Sequence, residues 1–149
     1  MNKKVNNQPS GNVELALIAT DDYSLQFKFR NGLPSPLFMA YSKEQYDDET
    51  SVFVPYNLQC KTQKNGMFQA AGPEFLHVPE LSQFESNRTI IFKIDKPTIQ
   101  GICLISIGYY EDAEAAHLVI EKNADHLSKF EQEFIDKSMR SVTLEFTLK

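Results

Sequence analysis

Tryptophan is absent from the 149 residues, and cysteine, glycine and proline number only two, six and seven. Two cysteines cannot build the disulfide framework that holds together small secreted domains lacking a core. So few glycines and prolines exclude collagen-like and low-complexity chains. No apolar run approaches the roughly 20 residues of a membrane-spanning helix. Positive charge is in deficit, with 15 Lys and Arg against 20 Asp and Glu and a net charge of −5. The basic field that phosphate backbones require is therefore missing, and nucleic acid is not an expected partner.

The composition that remains is 42% hydrophobic and 23% charged, which is globular and argues against disorder and coiled coil. A chain of this length buries about 70% of its unfolded surface, enough for one self-sufficient core. Residues 1 to 11 hold Val5 as their one branched apolar side chain and read as a flexible polar tail. The domain is expected over residues 12 to 149. No signal peptide is readable at the start, because polar residues follow Lys3 and Lys4 where an apolar stretch would be needed. That fits a cytoplasmic protein, and equally a periplasmic or lipid-anchored one whose leader has been removed, so both remain open.

Periodicity carries the fold. Val142, Leu144, Phe146 and Leu148 alternate with polar residues, as do Leu25, Phe27 and Phe29, and Ile90, Phe92 and Ile94; a period of two makes each a strand with one dry side. Val13, Leu15 and Leu17 form a looser version, and a short strand is expected at Leu37 to Tyr41. Ile102 to Tyr110 is apolar on both faces, the mark of a central or covered strand. Val52 to Gln63 and Met67 to Ala70 flank Asn65-Gly66, which predicts a two-residue type I′ hairpin turn. Leu127, Phe130, Phe134 and Ile135 instead follow helical offsets with Asp125 as the expected N-cap, and this stripe is expected to cover the second face of Ile102 to Tyr110. Glu111 to Lys122 is compatible with helix or strand.

The fold class expected is mainly β, a single antiparallel β-sandwich with an α-helical insertion at about 111 to 140, before the last strand. Eight acids oppose four bases in that insertion, so it holds most of the excess negative charge.

Pro79-Glu80-Leu81 followed by Arg88 to Ile94 and then Gly101 to Tyr110 resembles the second half of immunoglobulin-like and fibronectin type III-like sandwiches, where a turn, an inward-pointing strand, a connection and a Tyr-ending central strand recur in that order. The resemblance implies that fold over residues 13 to 149. Two features depart from the antibody-type pattern: the core Trp is missing, and Tyr109 follows Cys103 where a tyrosine corner precedes the second cysteine. The resemblance therefore does not carry over an antibody-type disulfide, and it implies nothing about function.

Cys60 and Cys103 allow one intramolecular bridge; the low cysteine density favours two buried thiols instead. Gly-x-Ser-x-Gly, Gly-x-Gly-x-x-Gly and P-loop motifs are absent. His77, His117 and His126 have no metal-ligand spacing, and the acids at Asp21-Asp22 and Asp47-Asp48-Glu49 lack the alternation of a calcium loop. Asn87-Arg88-Thr89 fits the glycosylation rule only as a chance triplet. No catalytic residue, metal or cofactor is expected.

Phe27, Phe29, Phe92 and Phe146 occupy core phases. Tyr41, Tyr46, Tyr56, Phe68 and Phe75 lie in or beside the irregular stretch from Gly32 to Pro79, where sandwich loops carry recognition, and are the candidate partner-binding residues. The function expected is that of a non-enzymatic binding module for another protein. A narrower version is an inhibitor or immunity-type protein of bacterial origin, steered to a basic site by its negative charge. The alternative is a carbohydrate-active or carbohydrate-binding sandwich using two of Asp21, Asp47, Glu74 and Glu111. Homodimerisation through the Val13 to Ala19 or Ser141 to Leu148 edge is a further expectation.

Overall fold

The computed structural model describes residues 11–41, 54–72, 80–121 and 126–149. The tail over 1 to 10, Tyr46, Asp47, Glu74, Phe75, His77 and Asp125 lie outside the described residues. The chain is mainly β. Strands β1 (Val13–Thr20), β2 (Ser24–Asn31), β3 (Leu37–Ala40), β4 (Asn57–Thr62), β5 (Gln69–Ala70), β6 (Leu81–Phe84), β7 (Thr89–Asp95) and β8 (Gly101–Tyr110) precede helices α1 (Ala113–Glu121) and α2 (Lys129–Ser138) and strand β9 (Met139–Leu148). No helix among the described residues is long and apolar enough to cross a membrane.

Two antiparallel sheets face each other. One has the order β1-β2-β7, the other β5-β4-β8-β3-β6, with β9 on β8. The alternating residues of β2 and β7 send Leu25, Phe27, Phe29, Ile90, Phe92 and Ile94 inward, where they meet Leu58, Ile105, Ile107 and Phe146 of the other sheet in one buried cluster. Phe27 stacks on Phe92 and meets Phe146 edge-on, both at 5.6 Å between centroids, the offset and T-shaped geometries that ring quadrupoles favour.

Asn31 is wholly buried. Its side-chain amide donates to the carbonyls of Ser35, Phe84 and Glu85, and its side-chain oxygen accepts from the Leu33 amide at 2.9 Å. A buried amide is stable only when so paired, and this one ties the turn after β2 to the connection between β6 and β7. Asn31 thus has a tertiary role as well as a local one.

Several expectations need correction. Leu81, expected within a turn with Pro79 and Glu80, instead opens strand β6, which pairs with β3 from Leu37↔Phe84 to Ala40↔Leu81. Asn65-Gly66 is not a two-residue I′ turn, since the ladder of β4 and β5 closes at Cys60↔Gln69 and leaves a longer connection. Neither residue has positive φ. Asn65 instead accepts from the Met67 amide and donates its own amide to Thr62 Oγ1, a side-chain-mimicked turn.

Within the segment 111 to 122, compatible in sequence with helix or strand, Ala113–Glu121 forms helix α1. The N-cap of α2 is Ser128, not Asp125: Ser128 Oγ accepts from the Glu131 amide while Glu131 accepts from the Ser128 amide, a reciprocal capping box. The two helices sit at the tip of the β8–β9 hairpin. Their shared cluster of Ala115, Ala116 and Ile135 covers Phe38 and Tyr110, so only the Tyr110 end of the second β8 face lies under helix. Ile102, Leu104 and Ser106 remain half-buried, flanked in register by Lys61, Gln59 and Asn57 of β4 and by Thr147, Glu145 and Thr143 of β9.

Candidate functional site

The insertion builds the clearest candidate. Glu114, His117, Leu118 and Glu121 recur on α1 at offsets of three, four and seven and therefore share one face. With Phe130, Glu131 and Phe134 of α2 they line a trough of about 530 Å³. Leu118 and Phe134 are half-buried against the helical cluster and form an apolar floor. Phe130, expected within the buried stripe, is instead 80% exposed at the rim. The cause is geometric: Phe134 and Ile135 already fill the space against α1, and Phe130 lies in the first turn of α2, directly after Lys129, beyond that contact. Glu114 and Glu121 are exposed, Glu131 is half-buried, and among the described lining residues there is no lysine or arginine. The His117 ring meets Phe38 edge-on at 6.3 Å, which positions it on the sheet side of α1. Tyr110 lies beneath this pair of helices, where burial and the Asp136 carboxylate raise its pKa.

A second concavity, of about 980 Å³, lies at the opposite end of the sandwich. It is bordered by Lys61, Lys64, Thr98, Gln100, Gly101 and Lys149, among others, and no carboxylate side chain is among the described residues that line it.

The aromatic residues expected at a partner surface are dispersed. Tyr41 is a core residue, only 2% exposed, because its ring packs edge-on against Phe84 and its hydroxyl donates to the Gln83 carbonyl at 2.9 Å while accepting from Arg88. Tyr56 stacks on Phe92; burial, and then the Asp95 carboxylate, push its pKa up to about 12. Phe68 is 36% exposed beneath the Lys61 ammonium, 4.8 Å from the ring centroid.

Tyr56 yields a direct check. Its neutral phenol is favoured in the fold, so the stability this contributes is present below pH 10 and lost as pH rises through about 12. An ultraviolet absorbance titration should show a late tyrosine step that Tyr56→Phe removes; retention of that step in the variant would assign it to another residue.

Cys60 and Cys103 are joined in a disulfide, which corrects the expectation of free thiols. They are direct cross-strand partners of β4 and β8, both on the inner face and at most 1% exposed. Only the register of two strands 43 residues apart in sequence brings them together.

Of the carboxylates considered for glycoside hydrolysis, the two among the described residues, Asp21 and Glu111, do not converge. Asp21 accepts from the Tyr23 and Ser24 amides and from Ser24 Oγ, bonds that lower its pKa and shape the β1–β2 turn. Lys96, which directly follows β7 on the way to the start of β8, donates to the Asp21 carbonyl, whereas Glu111 follows the far end of β8. The ten residues of that strand separate them by roughly 30 Å. Among the described residues no group of three or more His, Cys, Asp or Glu is placed to hold a metal ion.

The two strands expected as dimer edges, β1 and β9, each have one ladder neighbour among the described residues and pack beside each other where the sheets meet. A bulge between Leu17 and Ala19 interrupts the β1 edge, a feature that discourages strand addition. No protein-family model, curated protein or solved structure matches the chain.

Proposed function

We propose that this protein is a binding module for another protein, that it docks through the trough between α1 and α2, and that it works in an oxidising compartment. The exposed Phe130 beside the apolar floor of that trough carries the reading. A large aromatic that is 80% exposed next to half-buried Leu118 and Phe134 is costly to leave in water and is the residue type enriched at interface hot spots. The sandwich serves as a rigid base, and the insertion at the hairpin tip projects from it as recognition loops do.

The disulfide supports the compartment, because such bonds persist outside reducing cytosol. The immunoglobulin-like resemblance is kept as a proposal. In its favour are the orders β1-β2-β7 and β4-β8-β9 within the two sheets, which parallel the ABE and CFG strands of such domains, although here the disulfide lies within one sheet.

The test is a photo-crosslinking benzoylphenylalanine placed at position 130 or, as control, at position 145 on the outer face of β9, with irradiation in the native host. A discrete covalent adduct at 130 and none at 145 is expected. Absence of any adduct at 130 above the level at 145 sinks the docking reading.

A further inference from the structure

Resting on the reading of the α1–α2 trough as the docking face, we infer that its occupant is an amphipathic helix of the partner carrying Lys or Arg seven residues apart beside its apolar stripe. The charge of the trough selects the sign. Glu114 and Glu121 stand exposed along one wall with His117 between them, half-buried Glu131 lies on the other with its carboxylate held by the Ser128 amide, and no described lysine or arginine lines the site. The remaining ionisable groups on these helices, Lys129, Glu133, Asp136 and Lys137 on α2, balance in sign and do not line the trough.

The spacing selects the conformation. Glu114 and Glu121 lie seven residues apart on α1, two turns and about 10.5 Å along the axis. A docked helix presents its own positions i and i+7 at that same interval on one face, with i+3 and i+4 between them, and so sets two cations on the glutamates and two apolar side chains on Leu118 and Phe134. An extended strand covers the same distance in about three residues, and positions i and i+3 point to opposite sides, so no pair of same-side strand positions matches the interval between the two carboxylates. The walls are helices whose backbone groups are already bonded, and they provide no ladder for a strand to join.

The probe is a fluorescein-labelled 14-residue peptide with lysine at two positions seven apart and leucine at the intervening third and fourth, followed by anisotropy at low and high salt. Comparison peptides carry glutamate in place of both lysines, or a central proline that breaks the helix. The lysine peptide should bind the wild-type protein and weaken with salt, and the comparison peptides should bind at least about tenfold more weakly. Phe130→Ala, an exposed position with little bearing on folding, should weaken binding about tenfold. The Glu114→Lys, Glu121→Lys double variant should reverse the preference between the lysine and glutamate peptides, and Glu145→Lys, on the outer face of β9 six register positions along β8 from Tyr110, should change it less than about twofold.

Equal binding of the lysine and glutamate peptides, equal binding of the proline peptide, or no binding of the lysine peptide up to about 1 mM overturns the inference. So does a concentration-dependent dimer that Phe130→Ala dissociates in sedimentation, which would make a second copy the occupant. If the crosslink at position 130 forms while the peptides fail, the docking face stands and the cationic helix falls; if no crosslink forms, the docking face itself is wrong.

Discussion

Removing the disulfide with the Cys60→Ala, Cys103→Ala double variant is expected to lower the unfolding free energy by about 4 kcal/mol in the chain-entropy account of a loop this long. The bond closes a segment spanning 43 positions that includes β5, β6 and β7, so the unfolded chain gains much freedom when it is cut. Two sulfurs also leave the inner face of the β4–β8 pair, where both residues are at most 1% exposed, and the small space left behind adds to the cost. In thermal unfolding the midpoint should fall by roughly 10 °C, and wild-type protein denatured without reductant should show no reactive thiol. Two titratable thiols in freshly purified protein from the native host would overturn both this expectation and the assignment to an oxidising compartment.

Gly101→Ala is expected to destabilise by about 3 kcal/mol. Gly101 opens β8 between Thr62 of β4 and Leu148 of β9 with φ of +151° and with its ideal Cβ position 2.0 Å from the Lys61 carbonyl oxygen. The first feature suits only glycine. The second places a methyl group inside a backbone atom, so β4 must move away and the hydrogen bonds of the ladder beside the disulfide must lengthen. Gly66→Ala is the matched control: its added Cβ meets nothing within 4 Å, and its stability should stay within about 0.5 kcal/mol of wild type. Urea unfolding of both variants at constant m-value provides the measurement. Equal midpoints for the two would show that the strand start relaxes freely.

Much of the fold was legible in the residues, and the reason is local. Leu25-Gln-Phe-Lys-Phe-Arg alternates because one side of β2 is dry, and the same holds for Ile90 to Ile94 and for Val142 to Leu148. Helix α2 is legible through the offsets of Phe130, Phe134 and Ile135, and Ser128-x-x-Glu131 is a stronger local start signal than Asp125. The short strand β6 is not legible, because Leu81-Ser-Gln-Phe is too brief to show a period; its pairing with β3 makes it a strand. The candidate site was less legible. Phe130 fits a buried stripe by spacing, and only the packing of Phe134 and Ile135 against α1 leaves it outside. Tyr41 has the composition and position of a loop aromatic, and only β6 and Arg88, more than 40 residues further along the chain, enclose it.

By itself the sequence determined a mainly β chain of acidic surface with a helical insertion, because alternation, helical offsets and charge are properties of neighbouring residues. Tertiary structure decided that the two cysteines meet, which aromatics stay in water and which of the insertion's acids line the trough. Those outcomes depend on strand register and helix packing between segments far apart in the chain, and no local pattern encodes which second surface will arrive to cover a given face.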